Sequence, residues 1–178
     1  MSSPNRKNIL SHNGTLAQMA LLTGIGLILF LFETFIPRPL PWLKPGLAHI
    51  ATLIALYALG NSAALIVVVG RIFLGAFLTG TFLNPAFILS FFGGVSATLI
   101  MILMKKHFTN IFSIYGISIC GAIVHNITQL VLIKFLIVHQ PTIFLLLPVM
   151  VLTSIFSGFV VAFISRFLIQ KINLSLIQ

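Results

Sequence analysis

Gly121-Ala-Ile-Val-His-Asn-Ile-Thr-Gln129 interrupts an apolar run that extends from Ile111 to Val138. At about 100° per residue, His125, Asn126 and Gln129 fall within roughly one quadrant of a helix, and Ser118 and Ala122 continue the same stripe toward its start. The remaining surface is greasy. A helix of this kind belongs in a membrane, where polar side chains are costly unless they pair, line a wet cavity or meet a ligand. Two readings follow: a hydrogen-bonded seam between helices, or a binding site.

The rest of the chain fits the membrane setting. Of its 178 residues, 59% are hydrophobic and 6% charged, with a mean hydropathy of +1.18. These values indicate an integral membrane protein. Glu33 is the single acidic residue against ten Lys and Arg. In a soluble chain that surplus would suggest nucleic acid, but here the basic residues sit mostly at the ends of apolar runs, where they set orientation and meet anionic lipid. No nucleic-acid role is expected. The lone Cys120 cannot form an intramolecular disulfide, and at this length the chain has no room for an appended catalytic domain.

The pattern predicts an all-α polytopic protein with six transmembrane helices. A polar segment, 1–15, precedes a single membrane domain over 16–171 and a short tail, 172–178. The first span, Leu16 to Ile36, is too long for a signal-peptide core. It carries a small-residue stripe, Ala17, Ala20 and Gly24, with Glu33 on the opposite face. Four prolines lie between Pro37 and Pro45, a stretch that includes Arg38, Trp42 and Lys44 and through which no helix continues. A short second span, Leu47 to Leu59, starts near His49 and ends at Gly60-Asn61. The third, Ala63 to Thr79, holds Arg71. Pro85 opens a fourth that ends at Lys105-Lys106-His107, and Gly93-Gly94 within it marks close packing or a local break. The fifth is the opening run. A sixth covers Ile143 to Ile169 with a bend at Pro148.

An arginine at mid-span costs about 2.5 to 3.5 kcal/mol on insertion scales, so Arg71 requires a partner or a purpose. An ion pair with Glu33 is one answer, and Gly75, one turn on, would leave room for a ligand beside the guanidinium. With six spans the termini share a side; six basic residues, Arg6, Lys7, Lys105, Lys106, Arg166 and Lys171, would lie there against Arg38 and Lys44 on the other. The positive-inside rule makes the first side cytoplasmic, in the cell's inner membrane. Glu33, Lys44, His49, Arg71, His125, Asn126 and Gln129 then converge on the outer half. That pattern favours a cavity over a mere seam, suited to an anionic or strongly polar head with an apolar body. No metal site is expected: no Cys/His/carboxylate cluster has ligand spacing, and Arg71 would repel a cation. Nothing calls for a cofactor or a nucleophile.

Lys44-Pro-Gly-Leu-Ala-His-Ile50, Arg71-Ile-Phe-Leu-Gly75, Gly80-Thr-Phe-Leu-Asn-Pro85, Ser90-Phe-Phe-Gly-Gly94 and His125-Asn-Ile-Thr-Gln129 together resemble the family labelled heptaprenyl diphosphate synthase component I, also called the Gx transporter family. The family pattern carries Leu-Ala-Asn where this chain has Leu-Ala-His, at His49. The resemblance extends to the substrate-binding S components of energy-coupling-factor transporters, six-helix proteins that capture a small molecule from outside. It implies docking through the Ala17, Ala20, Gly24 stripe onto a transmembrane coupling protein driven by ATPase subunits. The synthase label implies instead a non-catalytic membrane subunit in prenyl diphosphate synthesis, since the chain has no Asp with which to build the Asp-rich motifs of elongation enzymes. A third reading is an assembly subunit whose polar residues only join helices.

Overall fold

The computed structural model describes residues 6–35 and 46–175, with side chains over 14–35 and 46–171. Pro37 to Pro45, and with it Arg38, Trp42 and Lys44, lies outside the described residues. Six α-helices follow in order: α1 (Arg6–Phe35), α2 (His49–Ala58), α3 (Asn61–Leu78), α4 (Pro85–His107), α5 (Ile114–Ile133) and α6 (Leu147–Ser175). Among the described residues all regular structure is helical. Among the described residues five helices are long and apolar enough to cross a membrane, while α2 has only ten residues. Ten residues rise about 15 Å, half of a hydrocarbon core. The expected second span is therefore a half-length helix.

Residue pairings fix the helix directions. Thr23 packs on Gly70 and Phe30 on Gly75, so α1 and α3 are parallel. Phe73 meets Phe87 while Gly94 faces Val68, making α4 antiparallel to α3. Gly93 faces His125 and Gln129 while Gly121 faces Met101, which turns α5 back along α4. Asn126 bonds Ser154 and Ser118 bonds Gly158, and α6 returns along α5. Helices α1, α3 and α5 thus end at one end of the bundle, here the upper end, and α2, α4 and α6 end at the other.

Helix α2 is the hub of the lower half. Every residue from Ile50 to Leu56 is buried, packed by Ala64 and Val67 of α3, Met101 of α4, Ile117 of α5 and Val161 and Ala162 of α6. At its end, Lys105 Nζ of α4 donates to the Leu56 carbonyl at 2.7 Å and lies over the Tyr57 ring. A lysine is well matched to an orphan carbonyl at a helix C-terminus. Since Lys105 ends α4, α2 begins near the middle of the bundle and runs down from there.

Several boundaries differ from the sequence reading. Helix α1 starts at Arg6, extending into the polar segment, while its apolar stretch, Gly14–Phe35, agrees with the expected first span. The fifth run divides into α5 and a π-helical turn, Lys134–Val138, closed by His139 in the left-handed conformation. Pro148 does not bend a long sixth helix. A 3-10 helix, Pro141–Leu146, comes first, and Pro148 occupies the opening turn of α6, where its missing N–H costs nothing. Gly93-Gly94 marks close packing, with α4 unbroken.

Candidate functional site

The polar site sits where α2 begins. A helix entering at mid-depth exposes N–H groups that lipid cannot satisfy, and Ala48, at its N-cap, has no side chain able to cap them. Glu33, 1% exposed, meets this need from α1: its Oε1 accepts the Leu47 N–H and, at 3.4 Å, the Ala48 N–H. The next two donors turn inward, His49 N to Gly46 O at 2.9 Å and Ile50 N to Leu47 O at 3.0 Å. The chain's one carboxylate side chain therefore organises the start of α2, and it also interacts electrostatically with Arg71.

Arg71 enters from α3, 5% exposed. Two glycines make its path. A Cβ at Gly26 of α1 would stand 3.0 Å from the Arg71 Cδ, and one at Gly94 of α4 would reach Nη2 at 3.9 Å. Gly75, where room for a ligand was expected, instead receives the Phe30 ring, which would lie 2.9 Å from an added Cβ. Gly93 provides the matching clearance on the α5 side, 3.0 Å from the His125 ring and 3.2 Å from Gln129 Cγ. The double glycine thus lets α4 approach both neighbours closely while their polar side chains pass.

Phe30, Glu33, Gly46, Ala48, His49, Arg71, Ser90, His125 and Gln129 line one pocket. Five of the seven residues expected to converge are here, drawn from α1, α2, α3 and α5. His49 and His125 meet edge to face with centroids 4.9 Å apart. Lys44 lies outside the described residues. Asn126 is turned away: its Nδ2 donates to Ser154 Oγ at 2.7 Å and to the Met150 carbonyl at 3.4 Å, so its amide joins α5 to α6. Asn126 still borders a second small cavity on the far side of the histidine pair, with Ser118, Gly121 and Ala122. The sequence reading missed Ser90 and Phe30; Ser90 opens the Ser-Phe-Phe-Gly-Gly segment, while an aromatic residue in an apolar span carries no signal.

Polar atoms in this pocket are left over. Arg71 Nε, Gln129 Oε1 and His49 Nδ1 are buried with no hydrogen-bond partner among the described residues. A structural seam normally satisfies its members, because each unpaired buried polar group costs about 1–3 kcal/mol. The space is nevertheless small: about 20 Å³, room for one water molecule. The electrostatics favour an anion. The charge of Glu33 is shared between the partial positive charge of the α2 N-terminus and the Arg71 guanidinium, so the pocket retains a positive excess.

The small-residue stripe lies elsewhere. Ala17 and Ala20 are exposed and a Cβ at Gly24 would touch nothing within 4 Å, whereas Thr23, Gly26, Phe30 and Glu33 form the inward face of α1. Among the described residues no group of three or more metal-ligating side chains assembles.

A family model described as heptaprenyl diphosphate synthase component I matches residues 22–168, most of the chain and all of the pocket. No curated protein and no solved structure matches.

Proposed function

The chain belongs to the heptaprenyl diphosphate synthase component I family, and on that footing we propose that it is a membrane binding subunit whose Arg71 pocket takes a small anionic or amphipathic molecule. One observation carries the reading: a guanidinium buried among four helices, with its Nε unpartnered. Arg71 would hold the anionic group, and Gln129, His125 and His49 would orient it. Glu33 would hold the α2 N-terminus in place, and Lys44 would add charge from the segment before α2. The volume in this form admits only water, so a ligand would select a form in which the helices around Phe30 have parted. Asn126 would support the site through α6 rather than touch the ligand.

Our primary reading of the activity is transport, with the chain acting as an S-component-like subunit that captures its cargo from the outer side. The outward face of α1 at Ala17, Ala20 and Gly24 would dock a coupling protein powered by ATPase subunits. Parallel α1 and α3 support six crossings, because the chain between them must return through the bundle and α2 lies on that return. Both termini would then be cytoplasmic, and reporters fused to the two ends should sit in the same compartment. The family name favours a second reading, since "component I" implies a partner synthase component. In that case the chain would be a non-catalytic membrane subunit. It has no Asp, and its one Glu is engaged at α2, so it lacks paired carboxylates for magnesium diphosphate.

Native mass spectrometry of the protein gently extracted from its membrane tests these readings. A retained anion that is lost in Arg71→Ala supports the site. Co-purified ATPase subunits that disappear in Ala20→Leu, with the anion kept, support transport. A soluble prenyltransferase in their place supports the synthase reading. Anion retention unchanged in a folded Arg71→Ala protein refutes the site.

A further inference from the structure

His49 and His125 stand between two polar cavities. On one side is the Arg71 pocket, and on the other a cavity bordered by Ser118 and Asn126 of α5 and Ser157 of α6; both histidines belong to both linings. The two rings meet edge to face, centroids 4.9 Å apart, and Arg71 and His125 both act electrostatically on His49. The Ser118 hydroxyl donates to the Gly158 carbonyl at 2.8 Å and the Ser157 hydroxyl to the Ser154 carbonyl at 3.3 Å. A hydroxyl that donates can still accept. The far cavity therefore offers acceptor oxygens beside the pair.

We infer that an anion binding at Arg71 brings one proton with it, which the His49–His125 pair takes up and shares. The inference rests on the anion-site reading and adds its regulation. Among the described residues on the two linings, the groups that carry or change charge are Glu33 from α1, His49 from α2, Arg71 from α3 and His125 from α5; α4 and α6 present Ser90, Met101 and Ser157, which do not titrate. Beside Arg71 alone, a protonated imidazole meets a like charge. An anion on the guanidinium reverses the sign of that field, and histidine is the side chain whose ordinary titration lies near neutral pH. Glu33 is the competing proton acceptor, but its Oε1 already accepts the Leu47 and Ala48 N–H groups at the start of α2. His49 Nδ1 is buried with no hydrogen-bond partner among the described residues, and a proton there makes it a donor that the anion or a serine oxygen can satisfy. Two protons would put two cations in contact at the observed ring separation, so the pair holds one. Because the anion-bound form carries the extra proton, affinity falls as pH rises, by up to about tenfold per unit. A site of this kind loads best from an acidic side.

The test uses the full chain in lipid nanodiscs with sulfate as the probe, because its charge does not change near neutral pH. Titration calorimetry in buffers of different ionisation enthalpy counts the protons taken up, and a pH series gives the affinity. Wild type should take up close to one proton per sulfate where affinity falls most steeply, at about tenfold per pH unit. The double variant His49→Asn with His125→Gln should bind with no proton uptake and no pH dependence. Should that variant not fold, each single variant should shift the midpoint of the pH dependence, and an unmoved midpoint in both overturns the inference. Sulfate binding without proton uptake in wild type overturns the linkage and leaves the anion site standing. Uptake that persists in the folded double variant and is lost in Glu33→Gln also overturns it, assigning the proton to the carboxylate. If inorganic diphosphate binds and sulfate does not, the same count is made with diphosphate as the difference between wild type and the double variant. If neither probe binds wild type, or Arg71→Ala binds as well as wild type, the anion site fails and the linkage falls with it.

Discussion

Replacing Glu33 by Gln separates the two roles this carboxylate fills. Its Oε1 accepts the Leu47 N–H and, more weakly, the Ala48 N–H, the first donors of a helix whose next seven residues after His49 are all buried. A hydrogen bond to a charged group contributes about 1.5–3 kcal/mol and a neutral one about 0.5–1.5, so retaining the acceptor while removing the charge should cost about 1–2 kcal/mol. Glu33→Ala removes the acceptor as well and leaves a buried N–H unsatisfied, for a loss of about 2–4 kcal/mol. The effect on binding has the opposite sign. With the carboxylate gone, Arg71 and the α2 N-terminus both face the pocket uncompensated, and an added anion can take the place that Glu33 held. Glu33→Gln should therefore unfold more easily in a detergent titration followed by circular dichroism, yet bind inorganic diphosphate more tightly in nanodiscs. A folded Glu33→Gln protein that loses anion binding would refute this division, since Glu33 would then be holding the ligand or the working geometry of Arg71.

Two further substitutions probe the seam between α5 and α6. An added Cβ at Gly158 would lie 2.7 Å from the Ile119 Cα, a backbone atom that cannot rotate aside, so Gly158→Ala should force the helices apart and cost about 3 kcal/mol, the upper end for overpacking, measured by the same titration. Asn126→Ala removes the bond to Ser154 but leaves that hydroxyl donating to the Met150 carbonyl at 2.6 Å; it should cost about 1 kcal/mol, a usual size for an interhelical bond in a membrane, with anion affinity unchanged. Loss of binding in Asn126→Ala without loss of stability would return Asn126 to the ligand.

How much of this was legible depended on whether side chains or backbone carried the information. Hydropathy and the punctuation at Gly60, Pro85 and Lys105-Lys106 located the long helices. The cost of burying charge was enough to group Arg71 with Glu33, His49, His125 and Gln129, since such residues must find one another or a ligand. Asn126's bond to α6 was not legible, because its stripe on α5 faces the boundary between two helices, and the Ser154 that its amide meets stands on an element no helical wheel of α5 includes. Glu33 was legible as the partner of Arg71 but not as the acceptor at the start of α2. Its partners are backbone N–H groups of Leu47 and Ala48, which leave no mark in a sequence, so a lone carboxylate pointed only to a lone arginine.

The half-length of α2 ties these observations together. A full-length second span would bring its N-terminal N–H groups to the interface, where water satisfies them, and Glu33 would have no work at depth. Because α2 starts inside the bundle, its N-terminus has to be neutralised there, and a carboxylate placed for that purpose attracts Arg71 to the same point. The cluster below, built on Leu53, Leu56 and Ile117, is apolar, and the histidines, Gln129 and Ser90 gather above it. The same short helix thus creates both the electrostatic demand and the place where it is met. An anion entering the pocket would compete with Glu33 for a position the fold has already made favourable to negative charge.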